Sequence, residues 1–381
     1  MSKGIADELQ GISLGDHRLN QRSRKVIEAL AANPEASVNA ATNGWADTQA
    51  AYRLFNNPNV SPEQILKPHR EATMRRIREH PVVVLVQDTT ELDYTGHPAS
   101  DALGLNKVSR LGFYHHVQLA LTPDHLPLGV VATESFDREP DTLGKQPRND
   151  HLPSENKESF RGLKGYREAC ALAQQCPQTK IISVADSEAD LYDIFHSAQE
   201  QTQPRADDLI RAHENRNTPE VNREVSRRTD HKVRDRVAQS PWQTQYTIDL
   251  SVTPKREARQ ATLAVRAISV AVRPPSVRTD LSTITHHVIS VEEVNGPGDG
   301  TDISWMLMTT LSIETVQDVL KAIQYYVARW GVETYFRTLK TGCQVEKKSA
   351  GNQVAAAQLP GILQHHRLAS SAPDLPQSNQ S

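Results

Sequence analysis

Apolar positions recur every three or four residues in the first 80 residues, and then give way to short continuous runs. The first spacing predicts helices over residues 23–32, 47–55 and 63–78. Ser61-Pro62 predicts the start of the third helix, because the missing proline N–H would have no partner in a first helical turn. The N-terminal part is therefore predicted to be a small helical domain.

From residue 82 the pattern becomes typical of buried strands alternating with helices. Residues 82–86 form a continuous β-branched run that ends just before Asp88, and residues 180–185 form a second run that ends at Asp186. Further strands are predicted over 114–121, 128–133, 208–211 and 303–309, and helices over 164–175, 189–195 and 313–341. Strands interleaved with helices place this core in the α/β class.

A basic, β-rich stretch interrupts this alternation. Alternating residues over 246–252, 261–272 and 285–291 predict antiparallel hairpins, so residues 215–300 are expected to form an insertion. Residues 211–280 contain 14 Lys and Arg against 8 Asp and Glu, a local charge of +6, which leaves −9 for the remainder of a chain with net charge −3. Such a segment is either a phosphate-binding surface or an ordinary solvated one.

Composition narrows the class of protein further. A chain of 381 residues is longer than one core usually serves, so two domains or one domain with an insertion are expected. No apolar run is long enough for a membrane span, and the N-terminus has no signal-peptide pattern. Three cysteines (Cys170, Cys176 and Cys343) are too few for a disulfide framework, which predicts a cytoplasmic location.

Two aspartates follow the two most apolar strands. Asp88 and Asp186 occupy equivalent positions, and ligands of open α/β sheets bind beyond the carboxyl ends of strands. Aspartate at a strand end is also common as a turn or N-cap residue, because its side chain accepts nearby backbone N–H groups. The repeated context favours a site, although each position alone fits the turn interpretation.

The helix predicted over 313–341 has one apolar and one polar stripe. At 100° per residue the polar stripe is about 80° wide and contains Tyr326, Arg329, Glu333, Arg337 and Lys340. The apolar stripe contains Ala328, Val332, Tyr335, Phe336 and Leu339. The polar stripe is either a solvated face with i,i+4 ion pairs or part of a site. In a site, Glu333 would join the two aspartates in holding two Mg²⁺ or Mn²⁺ ions, and the cations would bind phosphate.

Several motifs resemble one enzyme family. The spacing Tyr326-x2-Arg329-x3-Glu333-x6-Lys340 resembles the Y-R-E-K signature of bacterial insertion-sequence DDE transposases, the group that includes the Tn-five transposase. Further landmarks follow in the family's order: Leu14-Gly15-Asp16, residues 51–58, residues 87–90, Lys157-Glu158-Ser159 and residues 185–190. The resemblance covers about residues 12–346.

The resemblance implies a fold and an activity. The fold is a ribonuclease H-like catalytic core over residues 76–346 with a β-rich insertion, preceded by a helical DNA-end-binding domain over residues 1–75. The activity is DNA strand cleavage and strand transfer at insertion-sequence ends, on terminal inverted repeats and target DNA. Asp88, Asp186 and Glu333 are implied to be the catalytic carboxylates that bind the metal ions.

The resemblance also implies DNA contacts. Trp305 would stack on a flipped base, Tyr326 and Arg329 would bind the phosphates around it, and Lys340 would bind the transferred strand. Arg211 matches another family contact, and Arg337 is added because it lies on the polar stripe. Without the resemblance, Trp305 and Tyr326 would be interpreted as core aromatics and Arg211 as a surface residue.

The C-terminal residues depart from the family. Residues 347–381 have no sustained helical period and contain Gly351, Pro360, Gly361, Pro373 and Pro376. Gly162 also stands near the position of a family tryptophan. The tail predicts a truncated or frame-shifted chain with a disordered end. The resemblance implies a protein that acts as a homodimer in the bacterial nucleoid, but this tail predicts a monomer. An alternative function follows: a transposition-deficient relative that only binds DNA ends or inhibits.

Overall fold

A computed structural model of the chain describes residues 8–95, 105–107, 110–136, 160–200, 204–219, 232–250, 252 and 256–347. These residues belong to two compact units, one with the described residues up to 136 and from 328 onwards, the other with those from 160 to 327. No helix in the described part of the chain is long and apolar enough to cross a membrane. The Lys157-Glu158-Ser159 motif and the tail after Lys347 lie outside the described residues.

The predicted N-terminal helices are confirmed in the first unit. The helices are α1 (His17–Ala32), α2 (Val38–Ala41), α3 (Trp45–Phe55) and α4 (Pro62–Arg78), of which only the short α2 was not predicted. The Asp16 side chain caps α1 by accepting the N–H groups of Arg18 and Leu19 at 2.7 and 3.0 Å. Ser61 and Gln64 form a reciprocal capping box at the start of α4, as Ser61-Pro62 predicted. Apolar side chains from all four helices pack into one core.

An antiparallel sheet follows in the same unit. Its strands are β1 (Val82–Asp93), β2 (Leu105–Lys107), β3 (Arg110–Leu121) and β4 (Pro127–Phe136), and β3 pairs with each of the other three. The prediction that the first strand ends before Asp88 is wrong: Asp88 lies opposite Val117, in the middle of β1. The apolar run stops earlier because residues 88–91 are only half-buried, while the pairing with β3 continues to Asp93.

The second unit combines a mixed sheet with helices. Its strands are β5 (Lys180–Ala185), β6 (Asp207–Arg211), β7 (Thr244–Leu250), β8 (Arg259–Val272), β9 (Ile284–Val294) and β10 (Ser304–Thr309). The order is β5-β6-β10-β9-β8-β7, parallel only between β5 and β6. The helices are α5 (Phe160–Gln175), α6 (Tyr192–Glu200), α7 (Val233–Ala238) and α8 (Val316–Val327). The antiparallel insertion is confirmed; α7 was not predicted.

The single helix predicted over 313–341 is wrong. Instead α8 ends at Val327, α9 (Trp330–Arg337) follows, and a π-helical turn occupies Thr338–Gly342. Between α8 and α9 the N–H of Gly331 bonds to the carbonyl of Ala328 at 2.9 Å, a tighter turn than that of an α-helix. A periodicity of about 3.6 residues persists through such a turn, so the apolar pattern gave no sign of it.

Packing against β3 accounts for the glycine at the start of α9. A Cβ atom added to Gly331 would lie 2.8 Å from Leu121 Cδ1. Glycine therefore lets the backbone of α9 come this close to the end of β3 without a shift of the Leu121 side chain. The apolar stripe is confirmed beyond this point, because Val332, Tyr335 and Leu339 are all buried.

A buried charged network joins the N-terminal residues to α4 and β4. His69 Nδ1 lies 2.8 Å from Glu8 Oε2, and Arg76 Nη1 donates to Glu8 Oε1 at 2.7 Å. The Val130 N–H donates to His69 Nε2 at 3.0 Å, so His69 carries its proton on Nδ1, facing Glu8. Arg76 Nε also donates to the Leu128 carbonyl. Burial alone would raise the pKa of Glu8, but the hydrogen bonds from His69 and Arg76 and the charge of Arg76 outweigh it and lower the pKa to about 2.

We expect Glu8→Gln to lower the free energy of unfolding by about 1.5–3 kcal/mol near neutral pH, because it removes charged hydrogen bonds from a buried site. A carboxyl whose pKa is lower in the folded than in the unfolded state stabilises the folded protein at pH values above its unfolded-state pKa. The deficit should therefore shrink as the pH falls from about 4.5 towards about 2. Chemical denaturation across this range measures it, with the exposed Glu28→Gln as the matched control. A deficit that stays constant over this range would contradict the assignment.

Candidate active site

Asp88 lies on β1 in the first unit and is held by its own backbone. Its Oδ1 accepts the N–H of Thr89 at 2.7 Å, which is the turn-type contact that the alternative interpretation expected. The other carboxylate oxygen, Oδ2, lies 3.4 Å from Arg329 Nη1. The local contact and a role in a site are therefore compatible, because they use different oxygens.

Arg329 joins two of the three predicted carboxylates. While Nη1 faces Asp88, Nη2 donates to Glu333 Oε1 at 3.0 Å. The Arg329 side chain is only 8% exposed, against 20% for Asp88 and 59% for Glu333. A buried guanidinium needs such partners, because an unpaired buried charge is strongly destabilising. The structure thus brings Asp88, Arg329 and Glu333 together.

The polar stripe predicted for the helix is only partly present. Tyr326 and Arg329 are buried, whereas Glu333 and Arg337 are exposed. Arg329 is buried because its long side chain turns towards both Glu333 and Asp88. The i,i+4 pair with Glu333 was visible in the sequence, but Asp88 is 241 residues away from Arg329.

The last predicted cation on this segment, Lys340, lies on the π-helical turn. Its Nζ is 3.9 Å from Glu346 Oε1, and Glu346 Oε1 also accepts the Asp93 N–H at 3.0 Å. The Tyr94 hydroxyl donates to the Val345 carbonyl, and burial raises the Tyr94 pKa well above its usual value. Glu346 therefore lies between Lys340 and the end of β1, a contact that no sequence pattern predicted.

Two histidines on β3 lie opposite Thr89 and Thr90, the residues that follow Asp88 on β1. His116 pairs across the strands with Thr89, and its Nδ1 lies 2.9 Å from the Thr89 hydroxyl. Burial, and to a lesser degree the charge of His116, lower the pKa of His115 to about 4. His115 is therefore uncharged near neutral pH. No sequence signal marked either histidine, because only the strand register places them opposite Thr89 and Thr90.

In the second unit, Asp186 follows β5 directly, as predicted. Its Oδ1 accepts the Ser187 N–H at 2.6 Å and caps a short 3₁₀ turn. The Arg211 guanidinium, at the end of β6, lies 3.9 Å from the same oxygen and donates to the Ser304 carbonyl at 3.5 Å. Since the Arg211 side chain is 41% exposed, this ion pair is a weak one.

The two predicted aromatic residues pack on each other in the second unit. Their ring centroids are 5.5 Å apart and the ring planes are inclined by 60°. Tyr326 is buried, as the core interpretation expected, and Trp305 on β10 is half-buried. Trp305 thus keeps an accessible edge, while Tyr326 supports it from within.

The described residues contain no group of three or more His, Cys, Asp or Glu side chains arranged to hold a metal ion. Asp88 and Glu333 belong to the first unit and Asp186 to the second. The three-carboxylate site consequently stays a prediction.

Two family models match the chain. Residues 1–60 match the family described as "Transposase DNA-binding", and residues 81–360 match the "Transposase DDE domain". The cryo-EM structure of a piggyBac transposase synaptic complex with hairpin DNA is similar at 11% sequence identity and a TM-score of 0.35. That similarity covers 97% of this chain and 74% of the other.

The fold and the matches together define the class of protein. Along the chain, antiparallel strands are followed by α5, β5, α6, β6 and a β-rich insertion, which is the element order of a ribonuclease H-like α/β fold. The second match spans more than half of the length of the chain. The chain therefore belongs to the DDE transposases of insertion sequences. It is a DNA-binding enzyme, and the catalytic domains of this family depend on divalent metal ions in general.

We expect Tyr326→Ala to lower the free energy of unfolding by about 3–5 kcal/mol, because it opens a cavity under Trp305. Tyr326→Phe keeps the ring and should lose much less. Trp305→Ala should also lose less, since that ring is already half-exposed. Thermal and chemical denaturation of the three variants would test this order. An unchanged melting temperature for Tyr326→Ala would contradict the packing role.

Proposed function

We propose that Asp88, Asp186 and Glu333 are the catalytic carboxylates with which this transposase cleaves and transfers DNA strands at insertion-sequence ends. The observation that carries the proposal is the convergence of Asp88 and Glu333 on one buried cation, Arg329. Their meeting supports a site built to concentrate negative charge.

The donor chemistry of these residues fits a hard divalent cation. Carboxylate oxygens are the ligands that Mg²⁺ and Mn²⁺ prefer, and Asp88 and Glu333 already share a cation through them. We propose Mg²⁺ or Mn²⁺, two ions per site. When bound, such ions activate an attacking hydroxyl and stabilise the leaving oxygen. Asp88, Asp186 and Glu333 would hold them.

The proposed DNA contacts use the side chains around these carboxylates. Exposed Arg337 and part-exposed Lys340 and Arg211 can neutralise phosphates. The accessible edge of Trp305 suits stacking on an unpaired base, with Tyr326 behind it. Arg329 is proposed to bind phosphate as well, once it leaves its carboxylate partners.

The finer assignments rest on the sequence motifs. We propose that the chain belongs to the Tn-five-like group, acts on terminal inverted repeats in the bacterial nucleoid, and divides into domains at residues 75 and 346. The alternative, a relative that only binds or inhibits, is not favoured, because the match to the catalytic domain runs from residue 81 to residue 360, beyond the predicted start of the tail. Single or paired protomers would be distinguished by gel shifts with one and two labelled DNA ends.

We expect Asp88→Asn to abolish Mg²⁺-dependent cleavage of an end-containing DNA duplex while leaving DNA affinity within about a factor of three. A metal-binding carboxylate does not itself bind phosphate, so only the chemical step should fail. Asp93→Asn, on the same strand, is the matched control and should retain cleavage. Cleavage by Asp88→Asn at the wild-type rate would contradict the assignment.

DNA affinity is expected to fall steeply with salt, because phosphate contacts release counterions. The logarithm of the association constant should drop by about 0.9 per tenfold increase in salt for each phosphate neutralised. Arg337→Gln should reduce that slope by about 0.9. Lys321→Gln, which removes an exposed cation of α8 outside the proposed site, should leave it unchanged. Fluorescence anisotropy over a salt series measures both slopes, and equal slopes for Arg337→Gln and wild type would refute the contact.

A further inference from the structure

Arg329 fills the position between two carboxylates that are proposed to bind metal. Its planar fork presents Nη1 to Asp88 Oδ2 at 3.4 Å and Nη2 to Glu333 Oε1 at 3.0 Å. Lysine has a single ammonium group and would not reproduce this two-sided geometry. The side chain is 8% exposed, so Arg329 is held within the unit rather than on its surface.

We propose that Arg329 is an internal counter-ion of the metal-free site. When a divalent ion binds, the guanidinium releases the carboxylate oxygens of Asp88 and Glu333 and becomes available to a phosphate. This inference rests on the proposed metal site. Two carboxylates that face the same space repel each other unless a cation lies between them. The guanidinium supplies that cation in the protein alone. It cannot keep the same oxygens beside a divalent ion, because like charges repel.

The two contacts of Arg329 differ in length, as expected if Arg329 releases Asp88 before Glu333. The Glu333 contact, at 3.0 Å, is a normal charge-assisted hydrogen bond between residues one helical turn apart. The Asp88 contact, at 3.4 Å, is longer and therefore weaker. Arg329 can give up Asp88 first while it keeps its contact with Glu333. Glu333 is 59% exposed, so an ion from solvent can reach its carboxylate.

Competition of this kind has a measurable consequence. An ion that must displace Arg329 binds less tightly than it would to free carboxylates. Its apparent affinity is the affinity for free carboxylates multiplied by the fraction of molecules in which they are unpaired. By linkage, metal binding also frees Arg329 and favours phosphate binding. Removing the guanidinium should therefore strengthen metal binding, although a residue that merely supports the site would weaken binding when removed.

The test is an Mn²⁺ titration of the full chain without DNA, followed by electron paramagnetic resonance of the free ion. Arg329→Gln is expected to bind Mn²⁺ at least about fivefold more tightly than wild type, and Arg329→Lys to fall between them. Arg337→Gln removes an exposed cation from the same helix and should change the affinity by less than about twofold. Asp88→Asn should abolish the binding.

Thermal stability provides a second readout that does not depend on activity. Without metal, Arg329→Gln should melt below wild type, because Asp88 and Glu333 lose their shared cation. Added Mn²⁺ should raise the melting temperature of this variant by more than it raises that of wild type. If Arg329→Gln does not fold even with Mn²⁺, the affinity of Arg329→Lys decides, and a value equal to wild type would overturn the inference.

The outcomes separate this inference from the proposed function. Mn²⁺ binding that requires Asp88 but is unchanged or weaker in Arg329→Gln would overturn the counter-ion role and leave the metal site standing. Mn²⁺ binding that is the same in wild type and Asp88→Asn would remove the metal site, and the inference with it. Tighter binding in Arg329→Gln but not in Arg337→Gln supports both.

Discussion

A guanidinium buried between two carboxylates is the constraint on which the first unit's site depends. Arg329 is too little exposed to be left unpaired, so α9 and β1 must present Glu333 and Asp88 to it together. This placement requires α9 to approach β3 closely, which Gly331 permits beside Leu121. The apolar face of α9, which includes the buried Tyr335, then completes the packing.

A second buried network extends this unit towards the DNA-binding region. Glu8 lies within the match to the DNA-binding family, whereas Leu128 and Val130 lie within the match to the DDE domain. His69 and Arg76 on α4 connect them through buried hydrogen bonds. Since β4 pairs with β3 and β3 with β1, the N-terminal residues are tied to the sheet that carries Asp88.

In each unit an aspartate forms an ion pair with an arginine, and the two ion pairs differ in strength. In the first, Asp88 faces a buried arginine; in the second, Asp186 faces the part-exposed Arg211 at a longer distance. Both aspartates also accept the next backbone N–H, so local capping and long-range pairing share one side chain.

The sequence by itself determined the N-terminal helices, the strand that ends before Asp186, the antiparallel insertion and the family. These features follow from local periodicity, capping residues and motif spacing. Only the tertiary structure decided that β1 continues past Asp88, that the long helix divides before α9, and that Arg329 turns inwards. The reason is physical: strand pairing, close backbone packing and the pairing of a buried charge all depend on partners far away in the chain, which no local pattern specifies.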